Sequence, residues 1–458
     1  MTSTKEGASP LMVAHSISTP APHGLTATQW VICTVACLGF AFDVYEATAL
    51  PLILRPALAE LGVQPGSARF NFWVGLLFFI PFAVGGIFGL LGGYFTDRFG
   101  RRRVLAWSIL LYGFSSLAAA YSTSLSTLLV FRCLTMLGVC VEFVAAVAWL
   151  AELFPNPEQR ESVLGYTQAS AAVGGLMVTV AYYLALTYGE HLPAIRGGHE
   201  AWRYALMFGM LPALPLIVIR PFLPESPVWR EKKAAGTLKR PNPSELFRPA
   251  LRKTTLVTTL LVACSYGAAY GALLHLPRII PGLPQVRLLT RQQQEQTVSA
   301  VNFFMNMGDL AGRLALAVLV NHIVSRRRLL RVFLAPGLII FPLLFLFAVR
   351  HDLEFVKCGT FLATAVMTAQ FSFWGNYLPR VYPTHLRGTG ESFATNIGGR
   401  VFGTAAALLT TQLANAMPGG SAFAQLAYAA AVVGFLVYLA ASIASFWLPE
   451  PKADQLPA

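Results

Sequence analysis

Residues 92–104, Gly-Gly-Tyr-Phe-Thr-Asp-Arg-Phe-Gly-Arg-Arg-Arg-Val, place four arginines and one aspartate in a short turn between two long apolar runs. A lipid bilayer accounts for this arrangement, because membrane proteins keep dense positive charge in short loops on the cytoplasmic side. The stretch therefore predicts a chain that crosses a membrane, turns back at the cytoplasmic face and crosses again.

The composition agrees with a membrane protein. Of the 458 residues 55% are hydrophobic and only 12% are charged, and the mean hydropathy is +0.58. Soluble domains carry about 25% charged residues. Apolar runs long enough to cross a hydrocarbon core of ~30 Å recur along the chain. The sequence predicts an all-α, multi-pass membrane protein whose spans are 28–50, 70–95, 104–122, 126–153, 162–188, 202–222, 254–276, 295–320, 329–349, 356–379, 390–415 and 422–448.

The net charge of +13 could indicate a nucleic-acid partner. However, the Lys and Arg residues concentrate in loops on one side of the predicted spans, which is the positive-inside pattern. We therefore predict a lipid bilayer and no nucleic acid as partner, a bacterial inner membrane as location, and both termini in the cytoplasm. The six cysteines lie in or beside apolar spans without a set of metal ligands. We expect no metal, no cofactor and a monomer.

A basic, proline-containing segment divides the chain into two halves. Six predicted spans precede residues 223–253 and six follow. We predict a disordered cytoplasmic tail at 1–27, a six-helix bundle at 28–222, a cytoplasmic linker at 223–253, a second six-helix bundle at 254–448 and a cytoplasmic tail at 449–458.

An internal repeat supports this division. The run Ser325-Arg326-Arg327-Arg328-Leu329 follows the eighth span as Gly100-Arg101-Arg102-Arg103-Val104 follows the second, at an offset of 225 residues. Repeats of this kind predict two pseudo-symmetric bundles with the ligand site at their interface, near the middle of the membrane.

The turn at 92–104 resembles a known motif. Its pattern Gly93-x-x-x-Asp97-Arg98-x-Gly100-Arg101-Arg102 is similar to the signature loop between the second and third helices of the major facilitator superfamily of secondary transporters. Further segments resemble metabolite:proton symporters and sugar porters of that superfamily; they are 137–143, 151–155 with Arg160, 224–229 and 382–390.

The resemblance covers about residues 30–448, and it implies twelve transmembrane helices in two pseudo-symmetric six-helix bundles and proton-coupled uptake of small metabolites. It also implies a gating role for the signature loop, which in the family stabilises the outward-open state. The residues expected to act in gating are Gly93, Asp97, Arg98, Gly100, Arg101, Arg102, Glu152 and Arg160.

Two carboxylates lie on one face of the first span. Asp43 is near its middle, and Glu46 follows three residues later. A charge at the centre of a membrane costs at least ~2.5–3.5 kcal/mol, so each acid needs a partner or a function. In sugar porters an acid in the first helix pairs with an arginine in the fourth, and Asp43 with Arg132 matches that pattern. We predict proton coupling at Asp43; the alternatives are coupling at Glu46, or a structural Glu46–Arg132 pair.

Other ionisable residues fall inside the fourth and eighth spans. Glu142 is a candidate second proton site or an anchor for a cationic substrate group, and the alternative is a hydrogen-bonded packing residue. Asn302, Asn306, Asp309 and Arg313 form a polar stripe along one face of the eighth span. Asp309 and Arg313 are spaced to pair within the helix, and we expect that pair to act in gating.

Candidate substrate contacts lie in the second half. Arg400, four residues after Asn396, is expected to bind an anionic group or to neutralise a buried acid. Aromatic rings and an amide suit a sugar or an aromatic acid, although such residues also form helix cores. The remaining candidates are Tyr266, Tyr270, Gln370, Trp374 and Tyr377. His275 is predicted to lie at the membrane edge.

We predict a carrier that moves a small molecule, such as an organic acid or a sugar, together with protons by alternating access. Proton-antiport efflux uses the same fold and is the alternative within this class. A non-transporting membrane receptor is the alternative from another class. An enzyme is not expected, because the sequence has no GxSxG, HExxH or phosphate-binding loop.

Overall fold

The computed structural model describes residues 25–154, 163, 167, 170–219, 223–236, 242–348, 352–383 and 386–451. Apart from a bridge between Ile195 and Gly198, the regular elements of these residues are helical, which confirms the all-α fold. The main helices are α1 Ala27–Glu60, α2 Ala68–Phe99, α3 Arg101–Ala120, α4 Leu125–Leu153, α5 Ala171–Tyr188, α6 in two parts (Ala201–Phe208 and Ala213–Ile219), α7 Pro249–Gly271, α8 Arg291–His322, α9 Arg326–Ala348, α10 Leu353–Tyr377, α11 in three parts (Arg387–Ser392, Phe393–Gly403 and Ala405–Ala414) and α12 Ala422–Ala444. A short linker helix, Pro227–Ala234, lies between the halves.

Within the described residues, nine helices are long and apolar enough to cross a membrane. The other three are α6, α10 and α11. Helices α6 and α11 are interrupted, so that no single part reaches the length of a span. Helix α10 carries polar residues along its length, which are Thr360, Thr364, Thr368 and Gln370.

Polar residues fix where the long helices begin. A Ser, Thr or Asp side chain before the helix accepts a hydrogen bond from a backbone N–H of the first turn, which otherwise has no partner. These capping residues are Thr26, Ser67, Ser124, Thr290, Asp352 and Ser421. The sequence thus sets the ends of the helices as well as their apolar bodies.

The two halves meet along two helix pairs, α2 with α11 and α5 with α8. A Cβ atom at Gly89 of α2 would lie 2.8 Å from Oδ1 of Asn396, and one at Gly175 of α5 would overlap Asn306. The Asn306 amide donates to the Gly175 carbonyl at 3.0 Å. Small residues therefore allow the close approach on which association in lipid depends.

Below, the near face is the end of the bundle where α1 begins, and the far face is the end where α1 finishes. At the near face, Glu225 of the linker accepts a hydrogen bond from the backbone N–H of Arg102 at 3.1 Å, at the start of α3. Glu450 accepts from the backbone N–H groups of Arg326 and Arg327, both at 3.0 Å, at the start of α9. An acid at a helix N-terminus is stabilising because the backbone N–H groups and the helix dipole both favour negative charge there.

The internal repeat also includes the hydrogen bonds beside these two glutamates. The Arg102 guanidinium donates to the carbonyl of Leu223 at 2.8 Å, and that of Arg327 donates to the carbonyl of Leu448. The sequence Leu-Pro-Glu occurs at 223–225 and again at 448–450, at the offset of 225 found for the arginine runs. The sequence signal for both capping acids was present but was not used in the prediction.

Glu152 anchors the loops of the near face. It accepts hydrogen bonds from Arg101 at 3.0 Å and from the hydroxyl of Ser226 at 2.5 Å. Arg160, the side chain of Asp97, and residues 1–24 and 452–458 of the predicted tails lie outside the described residues.

Candidate functional site

Charged residues of the two halves converge near the middle of the bundle. Helices α1 and α4 of the first half contribute Asp43 and Glu142, which are 8% and 0% exposed. Helix α11 of the second half contributes Arg400, and α7 contributes Tyr266 and Tyr270. Each of these residues was a candidate in the sequence.

Asp43 and Glu142 form an acid pair. Their carboxyl groups lie within hydrogen-bonding reach of each other. None of their four oxygen atoms receives a hydrogen bond from a separate donor among the described residues. A carboxylate can only accept, whereas a protonated carboxyl group also donates. The two groups can therefore bond to each other only when one of them holds a proton.

Glycine makes room for the acid pair. Gly39 precedes Asp43 by one helical turn, and a Cβ atom there would overlap the Glu142 carboxyl group. A side chain at position 39 would displace Glu142 from α1. The glycine thus permits the two acids, which lie on different helices, to meet.

Arg132 binds Glu46 and not Asp43, so the predicted Asp43–Arg132 pair is wrong. Nη1 of Arg132 lies 2.7 Å from Oε2 of Glu46, and Nη2 donates to the Glu46 backbone carbonyl at 2.5 Å. The reason is that α4 runs antiparallel to α1, so the earlier residue of α4 meets the later residue of α1. The alternative of a buried Glu46–Arg132 pair describes the observed contact.

Arg400 is a partly exposed cation that faces the acid pair across the interface between the halves. Its Nη1 donates to Oδ1 of Asn396 at 2.8 Å, so the i,i+4 contact was predicted correctly. Within the described residues it forms no ion pair, although it lies close enough to Asp43 to interact electrostatically. It belongs to the π-helical part of α11, Phe393–Gly403. Such wide turns are rare and are frequent at functional sites.

Aromatic rings surround Arg400. Tyr266 and Tyr270 of α7 stack with ring centroids 6.2 Å apart, and Tyr270 also contacts Phe82 of α2 at 4.8 Å. The Phe143 ring lies 5.9 Å from the Arg400 guanidinium carbon. A guanidinium group bordered by aromatic faces suits a planar solute that carries a carboxylate.

The structure places three other candidates inside the packing of the second half. The Trp374 indole donates to Oγ of Ser265 at 3.0 Å, and Ser265 donates to the Gln370 amide oxygen at 3.0 Å. The Tyr377 hydroxyl donates to the Pro449 carbonyl at 2.6 Å. These side chains hold α7, α10 and the chain after α12 together and are not brought to the Arg400 site.

The polar stripe on α8 divides into two parts. Asn302 and Asn306 donate to the Thr179 hydroxyl of α5 at 2.6 and 2.9 Å, and they join the halves. Asp309 and Arg313 form the predicted pair within the helix at 2.9 Å. Asn302 and Asn306 therefore belong to the interface between the halves, whereas Asp309 and Arg313 form an ion pair within α8.

Polar contacts close the far face between the halves. Arg55 of α1 forms an ion pair with Glu295 of α8 at 2.6 Å, and Asn71 of α2 donates to Asn415 at 2.9 Å. Sequence reasoning missed these residues, although their charges and amides at the ends of apolar spans were a usable signal. His275 lies in the same region, just beyond the end of α7, and is completely buried.

Twelve helices in two halves, with acids in one half facing a cation in the other, define a membrane carrier. The sequence profile of the Major Facilitator Superfamily matches residues 31–408, and the chain belongs to that family. It is therefore a transporter of small solutes and not an enzyme.

Known transporters match most of the chain. The "Probable 4-methylmuconolactone transporter" of Cupriavidus pinatubonensis is 26% identical over 404 residues, which cover 87% of this chain and 88% of the relative. The 3-(3-hydroxy-phenyl)propionate transporter of Escherichia coli is 26% identical over 80% of this chain and 82% of its own length. The crystal structure of a D-xylose-proton symporter superposes with a TM-score of 0.71 at 17% identity, and the match covers 94% of this chain and 99% of that chain.

Proposed function

We propose that the protein imports a small organic anion, a carboxylate on a planar or aromatic body, together with a proton. The observation that supports this most strongly is the position of Arg400 opposite the Asp43–Glu142 pair, with Tyr266 and Tyr270 beside it. One of the two similar transporters is named for 3-(3-hydroxy-phenyl)propionate, an aromatic carboxylate.

The acid pair couples the proton to the anion. A negatively charged solute and the acid pair compete for Arg400, and a proton taken up by the pair removes one negative charge from that competition. Two unit charges ~8 Å apart interact by ~2 kcal/mol at an effective dielectric constant of ~20. That energy corresponds to ~30-fold in affinity. Because such coupling is reciprocal, the bound anion also favours protonation of the pair.

The distribution of basic loops supports an orientation of the carrier in the membrane. The basic loops lie at the near face, so the positive-inside pattern supports a cytoplasmic near face and an external far face. The Arg55–Glu295 pair then closes the external side in this conformation. We place both termini in the cytoplasm, the chain in a bacterial inner membrane, and one chain in each functional unit.

Proteoliposomes containing the purified protein test this proposal. With an inward proton gradient we expect accumulation of 3-(3-hydroxyphenyl)propionate, benzoate or nicotinate, and none of D-xylose or choline. A protonophore should abolish the accumulation. Arg400→Gln should weaken the apparent affinity about tenfold or more, because a hydrogen bond to a charged group contributes about 1.5–3 kcal/mol.

Arg287→Gln is the matched control, since Arg287 is exposed and lies away from the site. Accumulation of D-xylose in place of the carboxylates would contradict the proposal. So would carboxylate uptake that is unchanged by Arg400→Gln or independent of the proton gradient.

A further inference from the structure

We propose that Arg278 and His275 form a second carboxylate-binding site at the far face, which the solute occupies on its way to Arg400. The class of solute rests on the proposed function. The site itself rests on separate residues, which lie beyond the end of α7.

The chain after α7 leaves the helical path at the far face. Helix α7 ends at Gly271, and Ala272 has φ −134° and ψ −73°. Three short helical turns follow, Leu273–His275, Leu276–Ile279 and Ile280–Gly282. Arg278 lies in the second of them, between the halves, with 4% of its surface exposed.

Among the described residues, the partners of the Arg278 guanidinium are neutral. Nη2 donates to Oδ1 of Asn71 in the other half at 2.6 Å, Nη1 donates to Nδ1 of His275 at 3.1 Å, and the Phe70 ring lies 5.2 Å from Cζ. Its buried Nε has no acceptor in the described part of the chain, where it also forms no ion pair. A buried cation without an anion is unfavourable.

His275 adds a donor beside the guanidinium. Arginine has donors only, so Nδ1 of His275 must be the acceptor, and the neutral ring then carries its hydrogen on Nε2. That Nε2 is buried and has no partner among the described residues. The guanidinium and the Nε2–H group together offer the donors that a carboxylate needs.

While the far face is closed, the side-chain oxygen of Asn71 accepts the hydrogen bond from the Arg278 guanidinium group. Both partners, Asn71 and His275, are neutral acceptors, so a contact that only closed the far face would not need a charged donor. When α2 and the turn after α7 separate, the Asn71 oxygen leaves and the guanidinium group faces the external water. A carboxylate from that side can then replace the amide oxygen.

A row of rings connects this site to Arg400. The His275 ring lies 5.4 Å from Phe78, Phe78 lies 6.4 Å from Tyr270, and Tyr270 stacks on Tyr266 at 6.2 Å. Tyr266 and Tyr270 are neighbours of Arg400. A planar carboxylate thus has aromatic contacts between one arginine and the other.

Binding of radiolabelled benzoate to the purified protein tests the second site. The background is Arg400→Gln with Glu295→Ala, which removes the inner cation and the far-face ion pair. In that background we expect benzoate binding that unlabelled benzamide, its neutral analogue, does not displace. Adding Arg278→Gln should weaken the binding about tenfold or more, Arg278→Lys should weaken it less, and Arg287→Gln should leave it unchanged.

Absence of benzoate binding in this background would overturn the second site, and so would binding unchanged by Arg278→Gln. Size-exclusion profiles and melting temperatures report folding; if the double variant does not fold, Arg400→Gln alone is the background. Failure of the wild-type protein to accumulate any carboxylate would overturn the proposed function. Accumulation by the wild type combined with unchanged binding in Arg278→Gln would overturn the second site only.

Discussion

Glu142 is completely buried, and its polar neighbour is another acid, Asp43. A carboxyl group in that position is useful because its bond to Asp43 forms when a proton arrives and is lost when the proton leaves. Any side chain that donates permanently would keep the bond and remove the dependence on the proton.

Glu142→Gln makes this replacement, since the amide N–H can donate to Asp43 at any pH. We expect the variant to bind and exchange the carboxylate substrate with little dependence on external pH between about 5.5 and 8.5, and to lose accumulation driven by a proton gradient. Counterflow and gradient-driven uptake in proteoliposomes measure the two activities separately.

Glu354→Gln is the matched control, because the Glu354 side chain is exposed at the start of α10. It should retain both activities. Gradient-driven accumulation by Glu142→Gln at the wild-type level would show that this carboxyl group does not carry the coupled proton.

The sequence identified Asp43, Glu46, Arg132 and Glu142 as charged residues inside the membrane but did not show how they pair. Asp43 and Glu46 differ by three residues, or ~4.5 Å along the axis. The choice of partner for Arg132 depends on the relative height and rotation of α1 and α4, and a periodic pattern does not contain that information. The i,i+4 contacts were predictable because both partners lie on one helix.

At the scale of elements, the sequence predicted where α11 lies but not its winding. An apolar run at 390–415 reads as one regular helix, whereas residues Phe393–Gly403 are π-helical. This part of α11 packs closely on α7, since a Cβ atom at Gly399 would lie 2.6 Å from the Tyr266 ring. Local propensity does not include a neighbour more than a hundred residues away.

The turn before α3 allows a test of the capping acid. Gly100 has φ +100°, and a Cβ atom there would overlap Glu225, which accepts the N–H of Arg102. Gly100 has ψ +148°, a combination with its φ that is essentially restricted to glycine, so Gly100→Ala should combine backbone strain of about 1–3 kcal/mol with loss of a cap worth about 1 kcal/mol. We expect a lower melting temperature and slower transport.

Gly62→Ala is the matched control, because Gly62 has φ +84° and no atom within 4 Å of the added Cβ. It introduces a side chain at a positive φ without the overlap. Equal losses of melting temperature in the two variants would mean that the Glu225 contact contributes nothing measurable.

At the scale of the whole molecule, closure of the far face depends on residues distant in sequence. Arg55 and Glu295 lie in different halves, as do Asn71 and Asn415. Hydropathy and charge patterns predicted the spans and the basic near face, which are properties of single segments. They did not predict the pairs between halves, which exist in one conformation of the carrier.

Glu295→Ala should shift the protein toward the conformation that is open at the far face. A cysteine in place of the buried Thr411 of α11, in a protein otherwise free of cysteine, reports the opening by its reaction with an impermeant maleimide added outside. We expect labelling about fivefold faster or more, because coupling energies of this kind are typically 1–3 kcal/mol.

Glu354→Ala, which removes an exposed acid at the same face, should not change the labelling rate. Unchanged labelling in Glu295→Ala would mean that the Arg55–Glu295 pair does not hold the far face closed.

The matching Glu225 and Glu450 caps have an evolutionary consequence. Glu225 and Glu450 are 225 residues apart, as are Arg102 and Arg327. The stretch from Arg102 to Glu225 therefore has the same length as the stretch from Arg327 to Glu450, as expected for a duplicated gene. Helices α4 and α10 begin after Ser124 and Asp352, at an offset of 228 residues, which sets Glu142 against Gln370. A duplication therefore explains why both halves have the same order of helices. The buried acid Glu142 is found only in the first copy, and the cation Arg400 only in the second.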